Sequence, residues 1–183
     1  MPNVDVAHAS TTGPEVDAAR LTLHANEARL YHEASLFTGV AVTYYPDGQL
    51  AKREVYQNGQ RSGPAKQWYA DGTLSYQASY RAGKRHGAVE TWWPDGTPRT
   101  HFNYDGGVAH GEQRQWYKSG ALFKTLNLDQ GREVGLQQAW RENGALYANY
   151  EARDGRIYGL MRAKLCFDLD DETIQVGQTA SAR

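Results

Sequence analysis

From residue 40 to residue 159 the chain is a succession of short runs in which apolar and polar residues alternate, each run cut by a turn signal. Stretches such as LSYQASY (74 to 80) and LYANYEA (146 to 152) change character at nearly every residue, the period of a strand with one face covered. The cuts are glycines, and their spacing organises the chain. Of 19 Gly, six fall at 39, 63, 87, 111, 135 and 159, five at 48, 72, 96, 120 and 144, and five at 59, 83, 107, 131 and 155. Only Gly13, Gly106 and Gly177 lie off this lattice of period 24. Repetition at that period signals an array in which each unit packs on its neighbours.

Five units tile residues 40 to 159 without insertion: VAVTYYPDGQLAKREVYQNGQRSG, PAKQWYADGTLSYQASYRAGKRHG, AVETWWPDGTPRTHFNYDGGVAHG, EQRQWYKSGALFKTLNLDQGREVG and LQQAWRENGALYANYEARDGRIYG. Each predicts two strands joined by a three-residue loop, PDG, ADG, PDG, KSG or ENG. Pro46 and Pro94 suit the second position of a type I turn, and Gly48, Gly72, Gly96, Gly120 and Gly144 supply the left-handed residue that ends it. The second connection, as in RAGKRHG, holds two lattice glycines and is expected to reverse the chain twice or to carry a bulge.

A plain hairpin register places Trp68 opposite Leu74, Lys66 opposite Tyr76 and Pro64 opposite Ala78. Alternation then gathers Trp68, Leu74, Tyr76, Ala78 and Tyr80 on one face, with Ala65, Gln67, Ser75 and Gln77 on the other. The same rule adds Tyr44, Leu50 and Tyr56, then Trp92, Pro98, Phe102 and Tyr104, then Trp116, Leu122 and Leu126, then Trp140, Leu146 and Tyr150 to the aromatic face. One column, Tyr44, Trp68, Trp92, Trp116 and Trp140, carries a ring per unit. The expected fold is all-β: an elongated, twisted, single-layer antiparallel sheet of five 24-residue hairpin repeats with terminal caps. At about 4.8 Å per strand, ten strands make a ribbon roughly 45 Å long. Its aromatic face is either bent over itself or left as an apolar groove.

The ends are expected to stop edge-to-edge growth. Residues 15 to 39 read as an N-terminal cap, either a degenerate hairpin or a short amphipathic helix. Residues 160 to 177 read as a C-terminal β cap, with Leu165, Phe167 and Leu169 alternating, and residues 1 to 14 and 178 to 183 as tails.

Composition changes this picture little. The 183 residues hold 20 Lys+Arg against 21 Asp+Glu, so no strongly basic or acidic partner is signalled; residues 39 to 163 alone carry 16 against 12, a weak positive bias. A lone Cys166 excludes an internal disulfide. No run reaches the roughly 20 apolar residues of a membrane span. The start, MPNVDVAHASTTGP, is not a secretory leader. Exported, periplasmic or cell-envelope placement is expected if a leader was removed, cytoplasmic placement otherwise.

Candidate chemistry reduces to structure. Asp47, Asp71 and Asp95 recur at the period, but Ser119 and Asn143 take the same place, so turn formation explains them. His86 and His110 precede lattice glycines one repeat apart, too far to share a metal ion. His101 has no evident ligand partner, and no nucleophile-base pairing or phosphate-binding motif is present. Neither a catalytic residue, a metal site nor a cofactor is expected. Lys52, Lys66, Arg114 and Lys124 interleave with the rings, yet Glu54, Glu90 and Glu112 dilute them, so nucleic acid is not favoured. The candidate binding residues are Tyr44, Trp68, Tyr76, Trp92, Phe102, Tyr104, Trp116, Trp140 and Tyr150.

The recurring W-[YW]-x-[DSN]-G-x-L followed by [NAG]-G-x-x-x-G resembles the MORN (membrane occupation and recognition nexus) repeats, specifically the bacterial variant known from YwqK-family antitoxins. Pro98, Leu128 and Arg141 depart from that pattern. The resemblance implies a sheet of hairpins without catalytic residues that binds a protein or peptide on its aromatic side, with an antitoxin or immunity-like role. A membrane-surface or cell-envelope element and a glycan-binding module are the alternatives.

Overall fold

The computed structural model describes residues 13–160. Residues 161 to 177 of the expected C-terminal cap, Cys166 among them, lie outside that range, as do residues 1 to 12 and 178 to 183.

The strands are β1 (Glu15–Asp17), β2 (Leu21–His24), β3 (Arg29–His32), β4 (Ser35–Leu36), β5 (Gly39–Tyr44), β6 (Leu50–Gln57), β7 (Gln60–Trp68), β8 (Leu74–Arg81) and β9 (Lys84–Trp92). They continue as β10 (Pro98–Asp105), β11 (Val108–Ala109), β12 (Gly111–Trp116), β13 (Leu122–Asp129), β14 (Arg132–Glu133), β15 (Gly135–Trp140), β16 (Leu146–Arg153) and β17 (Arg156–Leu160). From β5 onward each strand pairs with the next in sequence, apart from the two-residue β11 and β14, which pair back on β10 and β13. The result is an elongated, twisted, mostly antiparallel sheet that stays open. Its one parallel pairing among the described residues sets β1 beside β5.

Two kinds of turn alternate along the sheet. In the first, the amide of Gly48 donates to the Tyr45 carbonyl and that of Tyr45 to Gln49, and the same pair of bonds recurs at Tyr69, Trp93, Tyr117 and Arg141. Gly48, Gly72, Gly96, Gly120 and Gly144 all sit in the left-handed region, with φ between 81° and 86°. The Asp47, Asp71, Asp95 and Asn143 side chains accept from the amide two residues on, at 2.8 to 3.0 Å, which is the turn-forming role their chemistry suggested. The amide of Thr73 holds the Asp71 carboxyl below its usual range, and that of Thr97 does the same for Asp95.

The second turn is tighter. Asn58–Gly59, Ala82–Gly83, Gly106–Gly107, Gln130–Gly131 and Asp154–Gly155 each have two consecutive positive φ, the signature of a two-residue type I′ hairpin. The ladder shifts register close to it, between the pairs Glu54–Ala65 and Tyr56–Arg61 and between Ala78–Val89 and Tyr80–Arg85, with the extra residues on the strand after the turn. Of the two expectations for this connection, a tight turn with a bulge is the one present.

Residues 21 to 36 form a separate three-stranded sheet, β2-β3-β4, and no amphipathic helix. It stands where a preceding hairpin would: Gly59 donates to Phe37 and accepts from Leu30, as Gly83 donates to Arg61 one period on. A Cβ on Gly59 would come within 2.9 Å of the Leu30 carbonyl, so this close approach needs glycine. Val16, Phe37 and Ala41 are buried there, with Leu21, Leu30 and Tyr56 packed around them.

Candidate functional site

Residues paired across an antiparallel ladder share a face, and neighbours along a strand alternate. In the second hairpin Trp68 pairs with Leu74, but Gln67 then pairs with Tyr76, Lys66 with Gln77 and Ala65 with Ala78. Ser75 has no partner: it is a one-residue bulge beside the turn. The same break leaves Ala51, Arg99, Phe123 and Tyr147 unpaired in the other hairpins. A bulge of one residue inverts the faces beyond it.

The expected register is corrected accordingly. Lys66 faces Gln77 rather than Tyr76, and Pro64 faces Ser79 rather than Ala78. The nine candidate rings divide between two faces. Tyr44, Trp68, Trp92, Trp116 and Trp140 share one, which we call the tryptophan face. Tyr76, Phe102, Tyr104 and Tyr150 lie on the other, with Ala65, Ala78, Tyr80 and Val89.

On the tryptophan face the pairs Tyr44–Leu50, Trp68–Leu74, Trp92–Pro98, Trp116–Leu122 and Trp140–Leu146 succeed one another strand by strand into one apolar stripe crossing the sheet at its PDG-turn end. The four tryptophans are half-buried, each screened by its neighbours, while Tyr44 and Leu146 are 46% and 45% exposed. A parallel polar row runs beside the stripe through Arg53, Lys66, Gln77, Glu90, His101, Arg114, Thr125 and Gln138. Two hollows open along it. One of about 500 Å³ is bounded by Leu50, Arg53, Pro64, Lys66, Trp68 and Gln77; one of about 400 Å³ lies between Trp116 and Trp140 with Glu112, Arg114, Asn127 and Leu136. His101, which lacked an evident partner, faces Glu90 at 3.2 Å, and Arg114 meets Glu112 at 2.6 Å. Lys66 is exposed and has no ion-pair partner among the described residues.

The opposite face is engaged with itself. Ala65, Ala78, Tyr80 and Val89 are buried, with Tyr76 and Tyr104 against them. The Arg61 guanidinium lies 5.3 Å from the Tyr80 ring centre, and that of Arg85 lies 5.3 Å from Tyr104. Burial, and the hydrogen bond to Tyr80 at 3.0 Å, raise the pKa of Tyr76. Glu54 is buried at 6% exposure, with Lys52 and Arg61 each 2.9 Å from its carboxylate and the Tyr56 hydroxyl donating to it. Farther along, Gln113 and Gln137 replace the small apolar residues. The Gln137 amide accepts from the Asn127 amide and donates to the Asn127 and Val134 carbonyls, each at 2.9 Å; Gln113 does the same around Asn103. Tyr150 donates to Glu133, and Phe102 lines a third hollow with Trp93, Arg99 and Phe123.

The ring that follows each stripe residue ties neighbouring hairpins together. Ladder pairing between β6 and β7 stops at Lys52 and Gln67, which leaves the Trp68 carbonyl without a strand partner; the Tyr45 hydroxyl donates to it at 2.7 Å. Tyr69 serves Trp92 at 2.8 Å and Tyr117 serves Trp140 at 3.0 Å. In the third hairpin this place is taken by Trp93, whose indole N–H is buried without a partner beneath Arg99. Tyr69 is not among the nine candidate rings. The usable signal was a phenol recurring just before the turn at 45, 69 and 117.

Among the described residues, no group of three or more His, Cys, Asp and Glu is placed to hold a metal ion, and no helix is long and apolar enough to cross a membrane. His86 and His110 instead pair with Asp105 and Asp129, each at 3.3 Å. Residues 37–58 and 61–82, which hold the hairpins β5–β6 and β7–β8, match the MORN repeat variant family. No curated protein matches the chain.

Proposed function

We propose that this repeat-built sheet is a docking scaffold: it holds a protein or peptide segment on its tryptophan face and performs no chemistry of its own. The observation that supports this reading is the placement of Tyr44, Trp68, Trp92, Trp116 and Trp140 on one side, flanked by a polar row and two open hollows. Indole rings supply large contact area at low conformational cost, and a rigid ladder holds them in place before the partner arrives. The other face is filled by its own Tyr–Arg stacks and the Glu54 cluster, so it has less to offer.

The finer form of the proposal is an antitoxin or immunity-like protein that masks a partner by covering it. The test is capture of the natural partner from native cells by the intact chain and by Trp92→Ala/Trp116→Ala. Loss of capture, with an unchanged β-sheet circular-dichroism spectrum, is the expected result. Undiminished capture by the folded double variant would refute the reading.

A further inference from the structure

We infer that the ligand of the tryptophan face is a proline-rich segment in the polyproline II conformation, crossing the strands, with an acidic end over the first two hairpins. The inference rests on the docking reading above and adds the conformation and chemistry of the occupant.

The first ground is spacing. Equivalent rings on successive hairpins are two strands apart, about 9.4 to 9.8 Å. A polyproline II helix returns the same side of the chain every three residues at 3.1 Å each, about 9.3 Å. Across the four intervals from Tyr44 to Trp140 the two periods stay within about 2 Å of each other. An extended β ligand repeats about every 6.7 Å and misses alternate rings. An α-helix repeats every seven residues at about 10.5 Å and drifts by roughly 3 to 4 Å over the same span. A proline at every third position therefore meets one ring per hairpin.

The second ground is hydrogen bonding. Polyproline II chains have no internal backbone bonds, so their carbonyls need donors. The polar row beside the stripe offers Lys66, Gln77 and Arg114.

The third ground is charge. Along that row His101 is opposed by Glu90 and Arg114 by Glu112, whereas Lys66 has no ion-pair partner among the described residues and Arg53 has only Glu15 at 3.7 Å. Arg53 and Lys66 are ladder partners beside the hollow at Trp68, so the positive charge left over lies at the N-terminal end of the stripe. An acidic residue at one end of the ligand complements it.

The experiment uses the full chain and capped synthetic peptides of five Pro-Pro-Ala triplets with two glutamates at either end. Lysine-ended versions and an alanine-rich helical peptide of equal length and charge are the controls, and binding is read by tryptophan fluorescence and calorimetry. One of the glutamate-ended peptides is expected to bind at least ~10-fold more tightly than the helical peptide, and Trp92→Ala is expected to lose at least ~10-fold. Lys66→Glu changes an exposed residue, leaves the stripe intact and is expected to reverse the preference between glutamate and lysine ends. Equal binding of the helical peptide, or unchanged binding by Trp92→Ala with an intact circular-dichroism spectrum, would overturn the inference. A displayed random-peptide library separates the two levels. Selected binders that need Trp92 but lack proline periodicity would overturn the polyproline inference and leave docking standing; no Trp92-dependent binder of either kind would overturn both.

Discussion

Removing the Tyr69 hydroxyl by Tyr69→Phe isolates a single bond between neighbouring hairpins. That hydroxyl donates at 2.8 Å to the Trp92 carbonyl, a half-buried acceptor one residue beyond the last β8–β9 ladder pair, Tyr76–Thr91. Phenylalanine keeps the ring in place and leaves the carbonyl unpaired. A hydrogen bond of this kind contributes about 0.5 to 1.5 kcal/mol net, and the orphaned acceptor moves the cost toward the upper end. A loss of about 1 kcal/mol is expected in urea titration, with the slope unchanged, corresponding to roughly 2 to 4 °C in a thermal scan if unfolding is cooperative. Because each unit touches only its neighbours, the loss concentrates at the interface between β7–β8 and β9–β10, where amide exchange quickens first. Tyr45→Phe and Tyr117→Phe break equivalent bonds, at 2.7 and 3.0 Å, and should cost similar amounts. Changes below about 0.3 kcal/mol in all three variants would show that the hydroxyls do not tie the hairpins together.

Three further outcomes are expected. Gln137→Ala strands the Asn127 amide and the Val134 carbonyl, and leaves the Asn127 carbonyl with the Val134 amide alone, in a site the side chain fills completely, at 0% exposure, so a loss of about 2 to 3 kcal/mol is expected in urea titration. Glu54→Gln leaves Lys52 and Arg61 without their carboxylate; because both cations reach solvent, a cost of about 1 to 3 kcal/mol is expected by the same measurement, below that of a fully enclosed pair. Burial and the hydrogen bond to Glu133 push the Tyr150 hydroxyl up to about 12 from its usual 10, so its contribution is fully present below pH 10 and is lost as pH rises toward 12; ultraviolet titration should show a late phenolate that Glu133→Gln moves to lower pH.

The glycine lattice made the hairpin array legible, because a left-handed φ at Gly48 or Gly72 is a local demand that leaves a mark in the sequence. The column of Tyr44 and four tryptophans was legible for the same reason, being one strand position repeated. The assignment of Tyr76, Phe102, Tyr104 and Tyr150 to that face failed at a bulge whose residues, Ala51, Ser75, Arg99, Phe123 and Tyr147, share no type. Nothing in a bulge of this kind demands glycine or proline, so it leaves no periodic sign. The sign lay in its consequence: the bulge sets Ala65 opposite Ala78, two small residues that are both buried, a pairing the plain hairpin register forbids. The Gln137 plug was hidden because a glutamine on a strand reads as a solvent-facing residue until its Asn127 partner is in place.

The placement of rings on the two faces is tested most directly by nuclear Overhauser contacts among assigned side chains. Cross-peaks are expected from Trp68 to Leu74, from Leu74 to Trp92 and from Trp92 to Pro98, with Tyr76 contacting Thr91 and Tyr80 but neither tryptophan. Contacts from Tyr76 to Trp68 or Trp92 would place the two ring sets on one side and contradict the tryptophan face.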